Sequence, residues 1–366
     1  MRTHSPENER IKRLYFTYLK EARRLSEPSI DAAAAALSRF EAYTRYRDFK
    51  SFHLQQAVAF KRKLAEQVSA RTGERLSKRT LFGTLNALRA FFQWLAGQSG
   101  YRSRLTYADA DYFALSEKET RIAKAGSERP VPTLEQILRV LERMPGATEI
   151  DLRNRALVAF TLLTGARDGA IASMKLKHVD VPEGKVVQDA REVRTKFSKS
   201  YVTWFFPVED GARQIVVDWV KFLTTEKLFG PADPLFPATQ VVLGEGHCFR
   251  AGGLSRAHWS NATPIRAVFK EAFERAGLPY ANPHSFRKTL AQLGERLCHT
   301  PEEFKAWSQN LGHEQVLTTF SSYGQVALHR QAQLIRALGR PTRRPLNGDT
   351  IEQIARLLEN ARSEAS

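Results

Sequence analysis

Cysteine is scarce in this chain. Cys248 and Cys298 are the only two among 366 residues, they sit in unrelated contexts, and no Cys-x-x-Cys occurs. That excludes a disulfide framework and a thiolate zinc site, and fits a reducing compartment. Long apolar runs are missing too: nothing approaches the ~18 consecutive apolar residues of a membrane span. The opening Met-Arg-Thr-His-Ser-Pro-Glu is polar with no apolar segment behind it. Neither a signal peptide nor a transmembrane helix is therefore expected, and the chain reads as soluble and cytoplasmic. Histidines and carboxylates do not gather at metal-ligand spacing, so no metal site is expected. No internal repeat is present, and the alanine run Ala32–Ala36 is the only low-complexity tract.

Negative charge is also in deficit. Against 39 Asp and Glu stand 56 Lys and Arg, for a formal net charge of +17 and a pI near 10.0. Such an excess favours a polyanionic partner, because neutralised phosphates release their counterions. Double-stranded DNA is the simplest such partner; an RNA or an anionic membrane surface would meet the same charge. The length, with 42% hydrophobic residues, allows two or three domains with real cores.

The first third reads as helices. Residues 7–25 are charged and amphipathic, with Ile11, Leu14, Tyr15, Tyr18 and Leu19 near helical spacing. An alanine-rich helix capped by Ser29 continues to Tyr43, a third helix covers 53–68 and a fourth 77–95. On the fourth, Leu81, Leu85, Leu88, Phe91, Phe92 and Leu95 form an apolar stripe. Lys78, Arg79 and Arg89 face outward, where they would meet a duplex; ordinary solvated charge gives the same pattern. The charged run Ser116–Arg129 reads as an inter-domain linker. Pro130-Val-Pro-Thr133 then opens a mixed unit, with Thr133 and Gln136 as the halves of a capping box. In it we expect an apolar helix over 155–163 ended by Gly165, a restart over 168–176, and strands over 185–188, 192–196 and 201–206. Further helices start at Ala212 and span 263–276, and the Gly- and Pro-rich stretch 230–253 reads as a long loop.

Four short motifs carry chemistry. Thr164-Gly-Ala-Arg167 puts an arginine at a break between helices, where its fork can project. Pro283-His284-Ser-Phe-Arg287 starts a helix with His and Arg on one face near the positive helix end, a place for an anion. Lys196 sits at the tip of a hairpin, with Lys199 close by in the turn. Asn310-Leu-Gly-His313 leads to Tyr323, the only tyrosine near it. Each has a bland reading on its own: solvated arginine, capped surface helix, solvated lysine, packing tyrosine.

In this order the motifs resemble the tyrosine recombinase, or phage-integrase, family. The resemblance covers residues 131–333 by motif and the N-terminal part by position and character only. It implies a mostly α fold with a small antiparallel sheet: a helical, SAM-like core-binding domain over 1–118, a linker over 119–130, and a mixed catalytic domain over 131–340. A tail helix follows over 341–366, its stripe of Ile351, Ile354, Leu357 and Leu358 packing at home or on a neighbouring protomer. The implied activity is site-specific DNA strand exchange, as in integration or excision of a mobile element, through a 3′-phosphotyrosyl intermediate. Tyr323 would be the nucleophile, Arg167 and Arg287 the phosphate clamps, and His284 and His313 would add hydrogen bonds and manage the proton. Lys196 would be the general acid, and Lys78, Arg79, Arg89 and Lys199 would touch DNA. No cofactor is implied. The partners implied are DNA, further copies of the chain forming a tetramer, and DNA-bending accessory proteins, in a nucleoid setting. Two features depart from the family pattern. Ala170 stands where the family often has an acid, leaving Asp168 as the nearest substitute, and the step from His313 to Tyr323 is one residue longer than usual. A silent DNA-binding protein of the same fold and a type IB topoisomerase-like enzyme remain alternatives.

Overall fold

The computed structural model describes residues 4–69, 73–125, 131–244 and 248–313. The chain divides into two units, Met1–Ser127 and Glu128–Ser366, each with its own apolar core. As expected, the described residues are mostly helical with small antiparallel sheets.

In the first unit α1 (Pro6–Thr17) runs into a π-helical turn over Tyr18–Ala22, followed by α2 (Glu27–Thr44), α3 (Leu54–Glu66) and α4 (Lys78–Ala96). The cap of α2 is Ser26 rather than Ser29, because Pro28 takes the first turn, where its missing N–H costs nothing. The apolar stripe of α4 is buried as its spacing requires, and Ser77 caps it by accepting the Thr80 N–H. The core is aromatic: Phe92 lies 4.2 Å from Phe52 and 5.4 Å from Phe40, ring centre to ring centre. A 3-10 stretch, Tyr107–Phe113, adds Phe113 to this cluster. The expected linker is partly ordered: α5 (Glu117–Lys124) is capped by the reciprocal pair Ser116 and Glu119 and packs on α4. Its charges sit where a capping box and the helix dipole favour them, acidic first and basic last.

The second unit begins with α6 (Leu134–Arg143), capped by Thr133 and Gln136. Next come α7 (Glu149–Thr164), buried on nearly all sides, and the short α8 (Asp168–Ile171). A three-stranded antiparallel sheet follows in the order β1 (Val179–Asp180), β2 (Lys185–Gln188), β3 (Tyr201–Trp204). The strand expected at 192–196 does not form. Glu192 is held instead by Lys175, Lys177 and His178. Arg194 donates to the carbonyls of Ser260, Trp259 and Ala172, so side chains anchor this segment where a ladder would have paired it. After α9 (Asp210–Thr225), part of the expected long loop proves to be a hairpin of β4 (Thr239–Leu243) and β5 (Phe249–Leu254). Gly253 has φ +112, and a Cβ there would collide with Glu149 Oε1, which accepts the Leu254 N–H at 2.8 Å. The glycine-rich composition that suggested a loop is thus a strand end pressed against α7. Three helices follow among the described residues: α10 (Thr263–Arg275), α11 (Pro283–Leu297) and α12 (Pro301–Asn310). No described helix is long and apolar enough to cross a membrane.

Candidate active site

The break between α7 and α8 is built by Thr164-Gly-Ala-Arg167. The Thr164 hydroxyl donates to Phe160 O and accepts the Ala166 N–H at 3.1 Å, which closes the helix end. Gly165 then turns left-handed at φ +58, and a Cβ there would press on Leu311 and Leu290 at 3.0 and 3.1 Å. The turn releases Arg167 as the residue before α8, half-buried and with no side-chain hydrogen bond or ion pair among the described residues.

Arg287 comes from the first turns of α11, which Asn282 caps by accepting the Ser285 N–H at 3.1 Å. It is only 4% exposed. Its Nη1 donates to Gly165 O at 2.6 Å, and its Nη2 donates to Leu311 O and to His313 Nε2, the latter at 2.9 Å. A guanidinium has five N–H donors. Nε–H and one Nη1 hydrogen therefore remain without a partner among the described residues. Because Nε2 of His313 accepts, the ring is neutral with its proton on Nδ1.

His284 stands at the surface one turn before Arg287. The electrostatics tie these groups together. Burial, then the charges of Arg287, Arg167 and His284, push His313 down to about 4. His284 is lowered as well, first by desolvation and then by Arg287, Arg167 and Lys288, with Asp168 acting weakly the other way. Arg287 loses some proton affinity to burial and then to Arg167, and the Tyr201 phenol offsets part of this. At neutral pH both imidazoles are uncharged, and the charges of two guanidiniums, Arg167 and Arg287, act on both of them.

The structure thus brings Arg167, His284, Arg287 and His313 together. Lys196 is not part of the group. It lies in the loop between β2 and β3 rather than at a strand end, exposed, its ammonium 4.8 Å from the centre of the Phe197 ring. Phe197 is 78% exposed and left-handed at φ +61, and the Lys199 ammonium lies 6.0 Å from the same ring. Tyr323, its spacing from His313, and the tail helix lie outside the described residues. Ala170 is buried in the apolar core, and Asp168 is turned toward α10, where Arg266 Nε donates to it at 2.8 Å. Neither position thus puts a carboxylate on Arg287, which is held by the carbonyls of Gly165 and Leu311. Lys78 and Arg79 are exposed, whereas Arg89 is paired with Asp111 at 2.7 Å. No three His, Cys, Asp or Glu side chains among the described residues gather as a metal ligand set.

Sequence reasoning missed Tyr201, whose ring lies against Gly312 and whose phenol acts on Arg287, and the carbonyl partners of Arg287. Gly312 held the one readable sign. It is left-handed at φ +68, and a Cβ there would fall 2.6 Å from the Tyr201 ring. A glycine between Leu and His already asks for such a turn or close approach.

The model of the phage integrase family matches residues 115–330. The tyrosine recombinase XerC of Stutzerimonas stutzeri (strain A1501) is 25% identical over 316 residues, covering 83% of this chain and 88% of that one. XerC of Halalkalibacterium halodurans is 25% identical over 286 residues, 75% of this chain and 82% of its own. Among solved structures, a lambda integrase dimer bound to a COC′ core site aligns with a TM-score of 0.59 at 12% identity, over 87% of this chain and 97% of that one. The Tn1549 transposon integrase in complex with transposon right end DNA aligns at 0.57 and 14% identity, over 90% and 99%. These two likenesses concern the fold.

Proposed function

The chain belongs to the phage integrase family of tyrosine site-specific recombinases, and from that premise we propose that it cuts and rejoins duplex DNA through a covalent 3′-phosphotyrosyl intermediate, as the integrase of a mobile element. The phenol oxygen of Tyr323 attacks the scissile phosphorus, the bond from phosphorus to the 5′-oxygen breaks, and the leaving oxygen takes its proton from Lys196. The tyrosine's proton passes to solvent or to a neutral imidazole. A 5′-hydroxyl from another strand then reverses the step and rejoins the DNA.

One observation carries this reading: the guanidiniums of Arg167 and Arg287 act on each other and on the imidazoles of His284 and His313, and neither guanidinium has a carboxylate among its hydrogen-bond partners in the described residues. A structural arginine is satisfied by an acid or by enough carbonyls. Here Arg167 and the spare donors of Arg287 are held ready, and a phosphodiester in its pentacoordinate transition state supplies the negative charge they lack. Arg287 is oriented by backbone carbonyls in place of the family's acid, so Ala170 need not silence the enzyme. Lys196 reaches the phosphate from its loop when DNA is bound, and Lys78, Arg79 and Lys199 contact the backbone. The protein works on DNA as a homo-oligomer.

A duplex nicked beside the cleavage point tests this, because the short 5′ fragment diffuses away and traps the adduct. The native protein is expected to become covalently attached, and Tyr323→Phe is not. Equal adduct from both would refute Tyr323 as nucleophile, and none from either would leave a silent binder. Adduct without transfer to a second duplex would mark a nicking and resealing enzyme.

A further inference from the structure

Strand β3 is the outer strand of its sheet. An outer strand presents N–H and C=O groups that need partners. Phe205 N bonds Gly184 O on the β2 side, so Trp204, next to it, points its backbone groups outward. There they meet a side chain instead of a strand. Asn310, the last residue of α12, accepts the Trp204 N–H on Oδ1 at 2.7 Å and donates from Nδ2 to Trp204 O at 2.8 Å. Its own carbonyl accepts the Thr203 hydroxyl at 3.1 Å. Two residues on, Gly312 lies flush on the Tyr201 ring. The segment from Asn310 to Gly312 is thus held against β3 at Tyr201, Thr203 and Trp204. The same few residues hold the clamp, since Leu311 O and His313 Nε2 both accept from Arg287.

We propose that Asn310 is a positioning residue: its carboxamide acts as a one-residue rung that fixes β3, and the Lys196 loop leading into it, in register with the turn presenting His313. The kinetic part of this proposal rests on the strand-cleavage reading above; the structural part does not. Only an amide can serve. Trp204 offers one donor and one acceptor, so the partner must accept and donate at the spacing of a peptide group. Aspartate keeps the acceptor, loses the donor and sets a charge against Trp204 O. The rung is partly open to water and adds little to global stability, so its loss loosens the relative placement of the two segments more than it unfolds the unit.

The experiment compares Asn310→Ala and Asn310→Asp with the native full-length chain in two ways. First, amide hydrogen exchange at 201–204 and the ring resonances of His313 are followed without DNA. We expect faster exchange at Trp204 together with a displaced His313 signal, at a nearly unchanged Tm. Unchanged exchange, or faster exchange with His313 unmoved, overturns the rung as a link. Second, adduct formation is timed on the nicked duplex and on one whose leaving 5′-oxygen is replaced by sulfur, which departs without a proton. A misplaced general acid slows the oxygen substrate by about 10²-fold and is largely rescued by sulfur, with affinity for duplex DNA kept. Equal slowing of both substrates, or none, overturns the positioning role. If the native chain forms no adduct with either substrate, strand cleavage fails, and the exchange measurement still decides whether the rung exists.

Discussion

In the first unit the ammonium of Lys12 is nearly buried, and two carboxylates meet it, Glu41 at 2.6 Å and Glu9 at 2.7 Å. Glu41, itself 1% exposed, also accepts from Asn8 at 3.0 Å. In the second unit the buried guanidinium of Arg287 meets two carbonyls, an imidazole and the field of another guanidinium. The two regions bury charge to different ends. In the Lys12 cluster the cation is met on the spot by opposite charge, and the cluster holds helices together. The Arg287 group is fully oriented but electrically unbalanced, and an anion from outside completes it. Burial alone does not separate the cases. Arg153 is equally buried, yet Pro237 O, the Thr239 hydroxyl and Asn154 Oδ1 take its donors, it lies over the Trp259 ring, and the Glu149 carboxylate supports its charge. What distinguishes a site from a strut is leftover donors beside a like charge.

The largest expected effect comes from breaking the unbalanced side. Arg287→Ala should slow adduct formation on a nicked duplex by ~10³-fold, the scale of losing a fixed donor to a transition-state oxyanion. It also strands the Gly165 and Leu311 carbonyls, at about 1–3 kcal/mol each. Arg167→Ala should slow the adduct comparably at an almost unchanged Tm, because that side chain has no hydrogen-bond partner among the described residues to strand. A wild-type rate in either variant would remove the clamp.

Breaking the balanced side should do the reverse. Glu41→Ala leaves Lys12 buried with only a partly exposed Glu9, and removing one partner of a buried pair costs about 3–5 kcal/mol. Urea melts of the full chain should show this loss in the first unit. The pH dependence has a definite sign. Burial pulls the Lys12 pKa down, but the hydrogen bonds it donates to Glu41 and Glu9 and their charges outweigh it, and the folded value lies above the ordinary 10.5. The stabilisation is therefore complete below pH 10.5 and fades as pH rises through the folded value. Stability of this unit that is flat across alkaline pH would contradict the pairing.

How far this contrast could be read in advance differs between the units. Helix positions in the first were legible from apolar spacing, as in α4, because a bundle core repeats the helical period. The capping box at Thr133 and Gln136 and the glycine end of α7 were equally plain, since both are local. Three kinds of feature were hidden. The run at 192–196 has strand-like residues, but long-range bonds from Glu192 and Arg194 override that preference. The β4–β5 hairpin was masked by glycines whose reason is a contact with α7. In the site, the motifs pointed to Arg167, His284, Arg287 and His313, but not to the carbonyls that hold Arg287, because a backbone oxygen has no letter in the sequence. Tyr201 and Asn310 were invisible for a related cause: their partners are glycine and main chain.

A smaller effect sharpens the comparison at His313. Its folded pKa of about 4 lies below the ordinary 6.5, so between those values the unfolded chain binds a proton that the native chain refuses. Stability should rise with pH across that window and level off above it. An anion seated between the guanidiniums reverses the local field, so millimolar phosphate or a short phosphodiester should raise the His313 pKa, read from ring proton shifts in NMR titrations. An unmoved titration would mean that the space beside Arg287 does not accept an anion.

The smallest effect applies the same distinction to the protein surface. Arg89 is occupied by Asp111 at 2.7 Å, and to reach a phosphate it must give up that carboxylate. Lys78 and Arg79 open the same helix, are exposed, and make no ion pair among the described residues. A side chain that neutralises a phosphate contributes about 0.9 to the slope of log affinity against log salt. Lys78→Ala and Arg79→Ala should each lower that slope by about this amount, whereas Arg89→Ala should change it less and cost at most ~1 kcal/mol of stability, as exposed pairs do. Equal slopes for all three variants would show that pairing in the free protein does not mark which surface cations meet DNA. A drop confined to Arg89 would invert the rule and place the duplex on the Asp111 side of the helix.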